Sequence, residues 1–191
     1  MPSSAATLTR SVGSWLCSVP FARLTTSTPC AIFDVCQGFF RHDDGEEVTR
    51  QWVAHPGSVA MVAHDDEHVW LVRQPREATG DPDLLELPAG KLDETGEAPL
   101  DCARRELAEE IGKAAEHWEH LKTFLTSAGM TDERCHIFLA TGLRDAPGLA
   151  IESERIDVER HPLADLGAAI AATSDAKTLI GLMLLRERLR G

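Results

Sequence analysis

The segment Leu85-Glu-Leu-Pro-Ala-Gly-Lys-Leu-Asp-Glu-Thr-Gly-Glu97, continued by Ala98-Pro-Leu-Asp-Cys-Ala-Arg-Arg-Glu-Leu-Ala-Glu-Glu-Ile-Gly112, reads as a loop feeding a helix. Pro99 stands in the first helical turn, where its missing N–H costs nothing, and Gly112 is placed to end the helix. At about 100° per residue, Leu100, Ala103, Leu107 and Ile111 share one side, and Glu106, Glu109 and Glu110 fall within an arc of about 100° beside it. One face packs and the next is acidic. Like charges at neighbouring helical positions cost a few tenths of a kcal/mol per pair, and more in a cleft of low dielectric, a cost that a bound cation relieves. Hard carboxylate oxygens with no thiolate or paired imidazole nearby favour Mg²⁺ or Mn²⁺ over Zn²⁺. On three glutamates alone, a solvated acidic face paired with Arg104 and Arg105 is the plainer reading.

Outward from this segment, Val59-Ala-Met-Val-Ala63 and Val69-Trp-Leu-Val72 read as buried strands of one sheet, separated by the polar turn His64-Asp-Asp-Glu-His68. The His64 and His68 pair has metal-ligand spacing for a helix, but a turn is the better reading here. Upstream, a strand-like run opens at Ile32-Phe33, and His42-Asp-Asp-Gly45 supplies a hairpin turn before the strand Glu46 to Ala54. Further strands are expected over Leu84 to Leu87, His120 to Leu125, Cys135 to Ala140 and the stretch after Arg155, with helices over Leu163 to Ala172 and Asp175 to Leu189. Strands interleaved with a few helices indicate an α/β or α+β sandwich.

The composition limits what such a fold can do. The chain has 191 residues, 43% hydrophobic and 26% charged, which is the size of one globular domain, and no apolar run approaches a membrane span. With 31 acidic against 19 basic residues, the net charge of −12 argues against nucleic acid, whose affinity comes from basic side chains on phosphates. An anionic substrate therefore needs cations supplied locally. Five scattered cysteines (Cys17, Cys30, Cys36, Cys102, Cys135) without a C-x-x-C pair suggest neither a disulfide framework nor a zinc site, and fit a reducing compartment. The chain divides into a tail over 1–30, disordered or targeting-like, N-terminal strands over 31–57, and the main domain over 58–191. The first 33 residues lack Asp and Glu and resemble a transit peptide, but a cytoplasmic location with an uninvolved tail is the expectation.

Gly90, Glu97, Arg105-Glu106, Glu109-Glu110 and Gly112 together resemble the Nudix box, G-x5-E-x7-R-E-U-x-E-E-x-G-U with U a bulky apolar residue: seven fixed positions over 23 residues. Two departures stand out. Lys91 to Gly96 holds one residue too many, and Lys113 occupies the last apolar position. Beyond the box, Arg50-Gln-Trp-Val-Ala-His-Pro-Gly57, Val72-Arg-Gln-Pro-Arg76, Leu85-Glu-Leu-Pro-Ala-Gly90, Ser127-Ala-Gly-Met-Thr-Asp-Glu-Arg134 and Asp175-Ala-Lys-Thr-Leu-Ile-Gly181 are similar to landmarks of the ADP-ribose pyrophosphatase branch. Pro75 and Ala128 depart from that branch, where an aromatic and a proline are more usual.

The resemblance implies a mixed β-sheet sandwiched between helices, with an N-terminal β-hairpin extension, and divalent-metal hydrolysis of ADP-ribose to AMP and ribose 5-phosphate, or of a related nucleoside diphosphate sugar. It implies Glu106, Glu109, Glu110, Glu154 and the Ala89 carbonyl as metal ligands, Arg105 as orienting the carboxylates, and Glu97 as pairing within the loop-helix turn. Glu152, on a loop before a late strand, is the candidate general base, because alternate residues of an extended segment point the same way and Glu154 would then join it. Arg50 and Arg76 are the cations expected on substrate phosphates, and Glu133 is expected to accept from a ribose hydroxyl. Trp52 is equally plausible as core or as a purine platform. Mg²⁺ is the expected cofactor, with Mn²⁺ as a substitute, and a homodimer exchanging N-terminal strands is the expected assembly. A Nudix domain used as a nucleotide sensor or protein-binding module is the alternative, against which the intact glutamates speak.

Overall fold

The computed structural model describes residues 21–29, 33–146 and 155–191. The centre is a four-stranded mixed sheet in the order β7-β4-β9-β8, built from β4 (Ser58–Ala63), β7 (Ala89–Lys91), β8 (Lys113–Leu125) and β9 (Arg134–Asp145). Only β4 and β9 run parallel; the other pairs are antiparallel. A second, antiparallel sheet has the order β10-β5-β6, from β5 (His68–Arg76), β6 (Asp81–Glu86) and β10 (Asp157–Pro162). The two apolar runs expected in one sheet thus fall in two. β4 has both edges occupied by β7 and β9, so β5 packs against it, with one bridge from His64 to Val69 just past the end of β4, and takes its ladder partners elsewhere.

Burial alternates along β4 and so explains its uninterrupted apolar sequence. Val59, Met61 and Ala63 pack with Cys102, Ala103, Leu107 and Ile111 of helix α1 (Pro99–Ile111). Ala60 and Val62 point the other way, toward Leu166 and Ala169 of α2 (Leu166–Ala172) and Leu182 and Leu185 of α3 (Ala176–Arg190). A strand covered by helices on both faces has no side free for polar residues. Helix α1 has the bounds its sequence signals: Pro99 lies in the first turn, and Gly112 adopts φ 65° while its N–H bonds to the Ala108 carbonyl at 3.1 Å.

Helix α3 comes close to the sheet at Gly181, where a Cβ would lie 2.4 Å from Leu87 Cδ1 and 3.0 Å from Val62 Cγ2. Gly181→Val is therefore expected to destabilise the fold by about 1–3 kcal/mol through overpacking. Urea unfolding checks this, and an unchanged midpoint would contradict the packing described.

The N-terminal hairpin is present as β2 (Asp34–Arg41) and β3 (Glu47–Ala54), turning at Gly45 with φ 88°. Within the stretch expected as a tail, residues Phe21–Pro29 form a strand, β1, antiparallel to β2, so β2 is the central strand of a three-stranded sheet with β1 and β3 at its edges. A strand edge presents unpaired N–H and C=O groups, which the backbone of β1 pairs with along β2. The strand β8 begins at Lys113, directly after the αL residue Gly112, rather than at His120. Its alternation is obscured because most of its side chains are exposed or only partly buried.

Candidate active site

The site forms where the loop from β6 to α1 lies on the acidic face of α1. Arg105 is its organiser. The guanidinium donates through Nε and Nη2 to both oxygens of Glu97, at 3.0 Å each, and through Nη1 to Glu106 at 2.7 Å and Glu109 at 3.0 Å. The Glu97 hydrogen bonds are the largest influence raising the Arg105 pKa, and in return Arg105 holds the Glu97 carboxyl below the usual carboxylate range. One fork-shaped cation thus fixes three of the carboxylates.

The fourth, Glu110, accepts a hydrogen bond from the Ala89 N–H at 2.9 Å, which ties the loop to the helix. Gly90 is the point of closest approach: a Cβ there would lie 2.0 Å from Glu106 Cδ and 2.2 Å from its Oε1. Only a residue without a side chain lets the Glu106 carboxyl rest against this backbone. The extra residue between Gly90 and Glu97 is absorbed in a turn, with Gly96 at φ 83° and the Glu97 N–H bonded to the Glu94 carbonyl at 3.2 Å. Glu97 reaches Arg105 regardless. Cys102 is part of the scaffold, its thiol buried and donating to the Lys91 carbonyl at 3.3 Å; burial pushes it up to about 12.

The other sequence-derived candidates lie as follows. Arg76, expected on substrate phosphates, is paired side-on with Glu86 at 2.5 Å (Nε) and 2.8 Å (Nη2). Glu133 accepts from Ser58 Oγ at 2.7 Å and Thr126 Oγ1 at 2.8 Å, with His55 Nδ1 at 3.7 Å. Arg50 is exposed on β3 and donates to the Thr49 carbonyl at 2.9 Å. Trp52 packs edge-on against Phe40, the ring centres 5.9 Å apart. The His64 to His68 segment is a turn, with Asp65 accepting from the backbone of Glu67 and His68 at 2.8 and 2.7 Å. Glu152 and Glu154 lie outside the described residues.

Sequence reasoning passed over Glu86, which is 1% exposed yet charged, and its second partner Lys177. Burial pushes the Glu86 carboxyl up, but hydrogen bonds and charge from Arg76 and Lys177 outweigh it and hold the group below the ordinary carboxylate range. The signal was available: one acid set between Leu85 and Leu87 in a buried strand needs internal partners.

A helix of glutamates clasped to a glycine loop by one arginine, on a mixed sheet between helices, is the arrangement of the Nudix class. The NUDIX domain profile matches residues 53–181, and the chain belongs to that family. An ADP-ribose pyrophosphatase of Mycobacterium tuberculosis (strain ATCC 25618 / H37Rv) is 41% identical over 138 residues, covering 71% of this chain and 66% of that protein. A methanol dehydrogenase activator of Bacillus methanolicus is 38% identical over 149 residues, 75% of this chain and 79% of that protein. An ADP-ribose pyrophosphatase of Bacillus subtilis (strain 168) is 36% identical over 151 residues, with the same shares of 75% and 79%. In fold, a crystal structure of an ADP compounds hydrolase superposes with a TM-score of 0.78 at 24% identity, covering 93% of this chain and 97% of that one.

Proposed function

We propose that this Nudix hydrolase cleaves the pyrophosphate bond of a nucleoside diphosphate sugar, with ADP-ribose the foremost substrate and AMP and ribose 5-phosphate the products. The observation that carries the reading is the contact of Glu106 with Gly90 and of Glu110 with the Ala89 N–H, which sets two carboxylates against one stretch of loop backbone. Relatives named ADP-ribose pyrophosphatase support the substrate class, and one named GDP-mannose pyrophosphatase, from Cronobacter sakazakii (strain ATCC BAA-894), 33% identical over 144 residues, widens it.

The donor set fits a divalent cation of the Mg²⁺ type. Among the described residues no three Asp, Glu, His or Cys side chains gather into a cage. Mg²⁺ does not require one, since it takes one or two carboxylates and completes its shell with water and substrate phosphates. Glu106 and Glu110, with the Ala89 carbonyl, are the residues that would hold it; Mn²⁺ suits the same oxygens. Such a cation supplies neutralisation of the diphosphate and a more acidic water. The chain's own part is positional: Arg105 keeps Glu106 and Glu109 oriented, and Gly90 gives the carboxylate room at the loop. Arg76 and Arg50 supply charge for the phosphates, Glu133 an acceptor for a ribose hydroxyl, and Glu152, with Glu154 beside it, the base that takes a proton from water.

The exposed β3 position of Arg50 suits a homodimer in which it faces the partner's cleft. Among the described residues no helix is long and apolar enough to cross a membrane, and we infer a cytoplasmic enzyme without affinity for nucleic acid. The test is product analysis: ADP-ribose and GDP-mannose are incubated with the protein and Mg²⁺, and the nucleotide and sugar phosphate are separated. Release of AMP and ribose 5-phosphate supports the reading; tight binding without turnover across the panel favours the sensor instead.

Arg105→Gln gives a prediction that separates the two roles of charge at this site. Without metal, loss of the counter-cation to Glu97, Glu106 and Glu109 is expected to destabilise the protein by about 1–3 kcal/mol. Millimolar Mg²⁺ is expected to narrow the gap to wild type in thermal melts, because the ion relieves a repulsion among Glu97, Glu106 and Glu109 that Arg105 already neutralises in the wild type and so stabilises the variant more. A gap indifferent to Mg²⁺ would contradict cation binding at these glutamates.

A further inference from the structure

Four alternating charges run from the start of α3 to Arg76, which lies within electrostatic reach of Glu110. Asp175 Oδ2 caps α3, accepting from the Thr178 N–H at 2.9 Å and Thr178 Oγ1 at 2.6 Å, and lies 3.0 Å from Lys177 Nζ. Lys177 donates to Glu86 Oε2, and Glu86 takes Arg76 on both its oxygens. Along the row exposure is 19% at Asp175, 17% at Lys177, 1% at Glu86 and 42% at Arg76, so the buried carboxylate lies inside and the most exposed member is the arginine at one end. The sequence of charges therefore ends outward on a cation. Among the described residues Glu86 takes two of the five guanidinium N–H donors of Arg76, which leaves the opposite edge, with Nη1, to an anion outside. The same unit is pinned to the loop, since the Leu87 N–H donates to Thr178 Oγ1 at 2.8 Å, two residues before Ala89. Thr173 Oγ1 adds a bond to the Leu85 carbonyl at 2.7 Å.

We propose that Glu86 and Lys177 are positioning residues for the diphosphate: Glu86 fixes the guanidinium of Arg76 with one edge toward the ligand, and Lys177 balances the buried carboxylates so that this edge meets a phosphate without net repulsion. The proposal rests on the hydrolase reading for the presence of a phosphate at Arg76. Two cations stand against two carboxylates in the intact unit. Removing Lys177 leaves two carboxylates with Arg76 alone, a net negative charge behind the phosphate, and Glu86 competes with the ligand for the guanidinium.

The test uses Lys177→Met, which keeps the side chain's length without its charge, and Lys177→Arg, which restores the charge. With ADP-ribose and Mg²⁺, Lys177→Met is expected to raise KM about tenfold while kcat stays within about twofold, the pattern of lost uniform binding, and Lys177→Arg to recover most of the loss. Calorimetric titration with ADP and Mg²⁺, which requires no turnover, is expected to show Kd weakened by a similar factor at a temperature where both variants are folded, even though loss of a partner to buried Glu86 lowers the melting point of Lys177→Met. If ADP-ribose is not hydrolysed but ADP binding weakens in Lys177→Met and returns in Lys177→Arg, the substrate reading fails and the positioning role stands. Unchanged Kd in Lys177→Met, absence of ADP binding by wild type, or a loss that tracks a lowered melting point and is not recovered by Arg would overturn it.

Discussion

Glu106→Gln is expected to lower kcat for nucleoside diphosphate sugar hydrolysis by about 10³-fold, equivalent to roughly 4 kcal/mol of transition-state stabilisation. The amide has the shape of the acid and can still accept from Arg105 Nη1, now at 2.7 Å from Glu106 Oε1, so the fold has little reason to change. What disappears is the negative charge that would hold a divalent cation beside the Ala89–Gly90 backbone. Steady-state kinetics with circular dichroism on the same sample checks this. A variant that retains wild-type kcat would remove Glu106 from the machinery, and one that unfolds would make its role structural.

The second large effect is expected from Gly90→Ala. One methyl group at this position meets Glu106 Cδ at 2.0 Å and Cγ at 2.1 Å, closer than any tolerable approach. The backbone itself does not object, since Gly90 is not among the residues with positive φ. Relief comes from the side chain, because the carboxyl group of Glu106 can swing away while α1 stays in place. The expected result is therefore a loss of kcat of about 10²-fold or more with stability altered by less than about 1 kcal/mol. Gly181→Val is the instructive opposite, since its clash lies in the packed core and its cost should appear in stability. If Gly90→Ala lost stability and kept its turnover, the account of Gly90 as room for the carboxylate would be wrong.

The helix α1, its glycine stop and the acidic face beside its apolar one were legible because a period of 3.6 residues and the terminal signals agreed. The two apolar runs of β4 and β5 were legible as strands but not as members of different sheets. Pairing depends on which edges are already occupied, and a strand's own residues do not record that. β1 was missed because its Ser- and Thr-rich sequence carries no apolar alternation. At the site, the spacing located Arg105, Glu106, Glu109 and Glu110 on one helix, and the structure adds the division of labour between Arg105 and the Ala89 N–H. Glu86 and Lys177 lie 91 positions apart, a separation across which no local period operates. The pairing of Arg76 with Glu86 is likewise silent in the sequence, where Glu86 is one acid between the apolar residues Leu85 and Leu87.

Everything proposed for this site depends on the carboxylates of α1 holding a divalent cation at the loop. The most direct test is calorimetric titration of chelator-treated protein with Mg²⁺, with and without ADP, for wild type and Glu106→Gln in parallel. Saturable uptake by the wild-type protein is expected, strengthened by ADP and lost or greatly weakened in Glu106→Gln. Equal uptake by both proteins, or none by either in the presence of ADP, would contradict it.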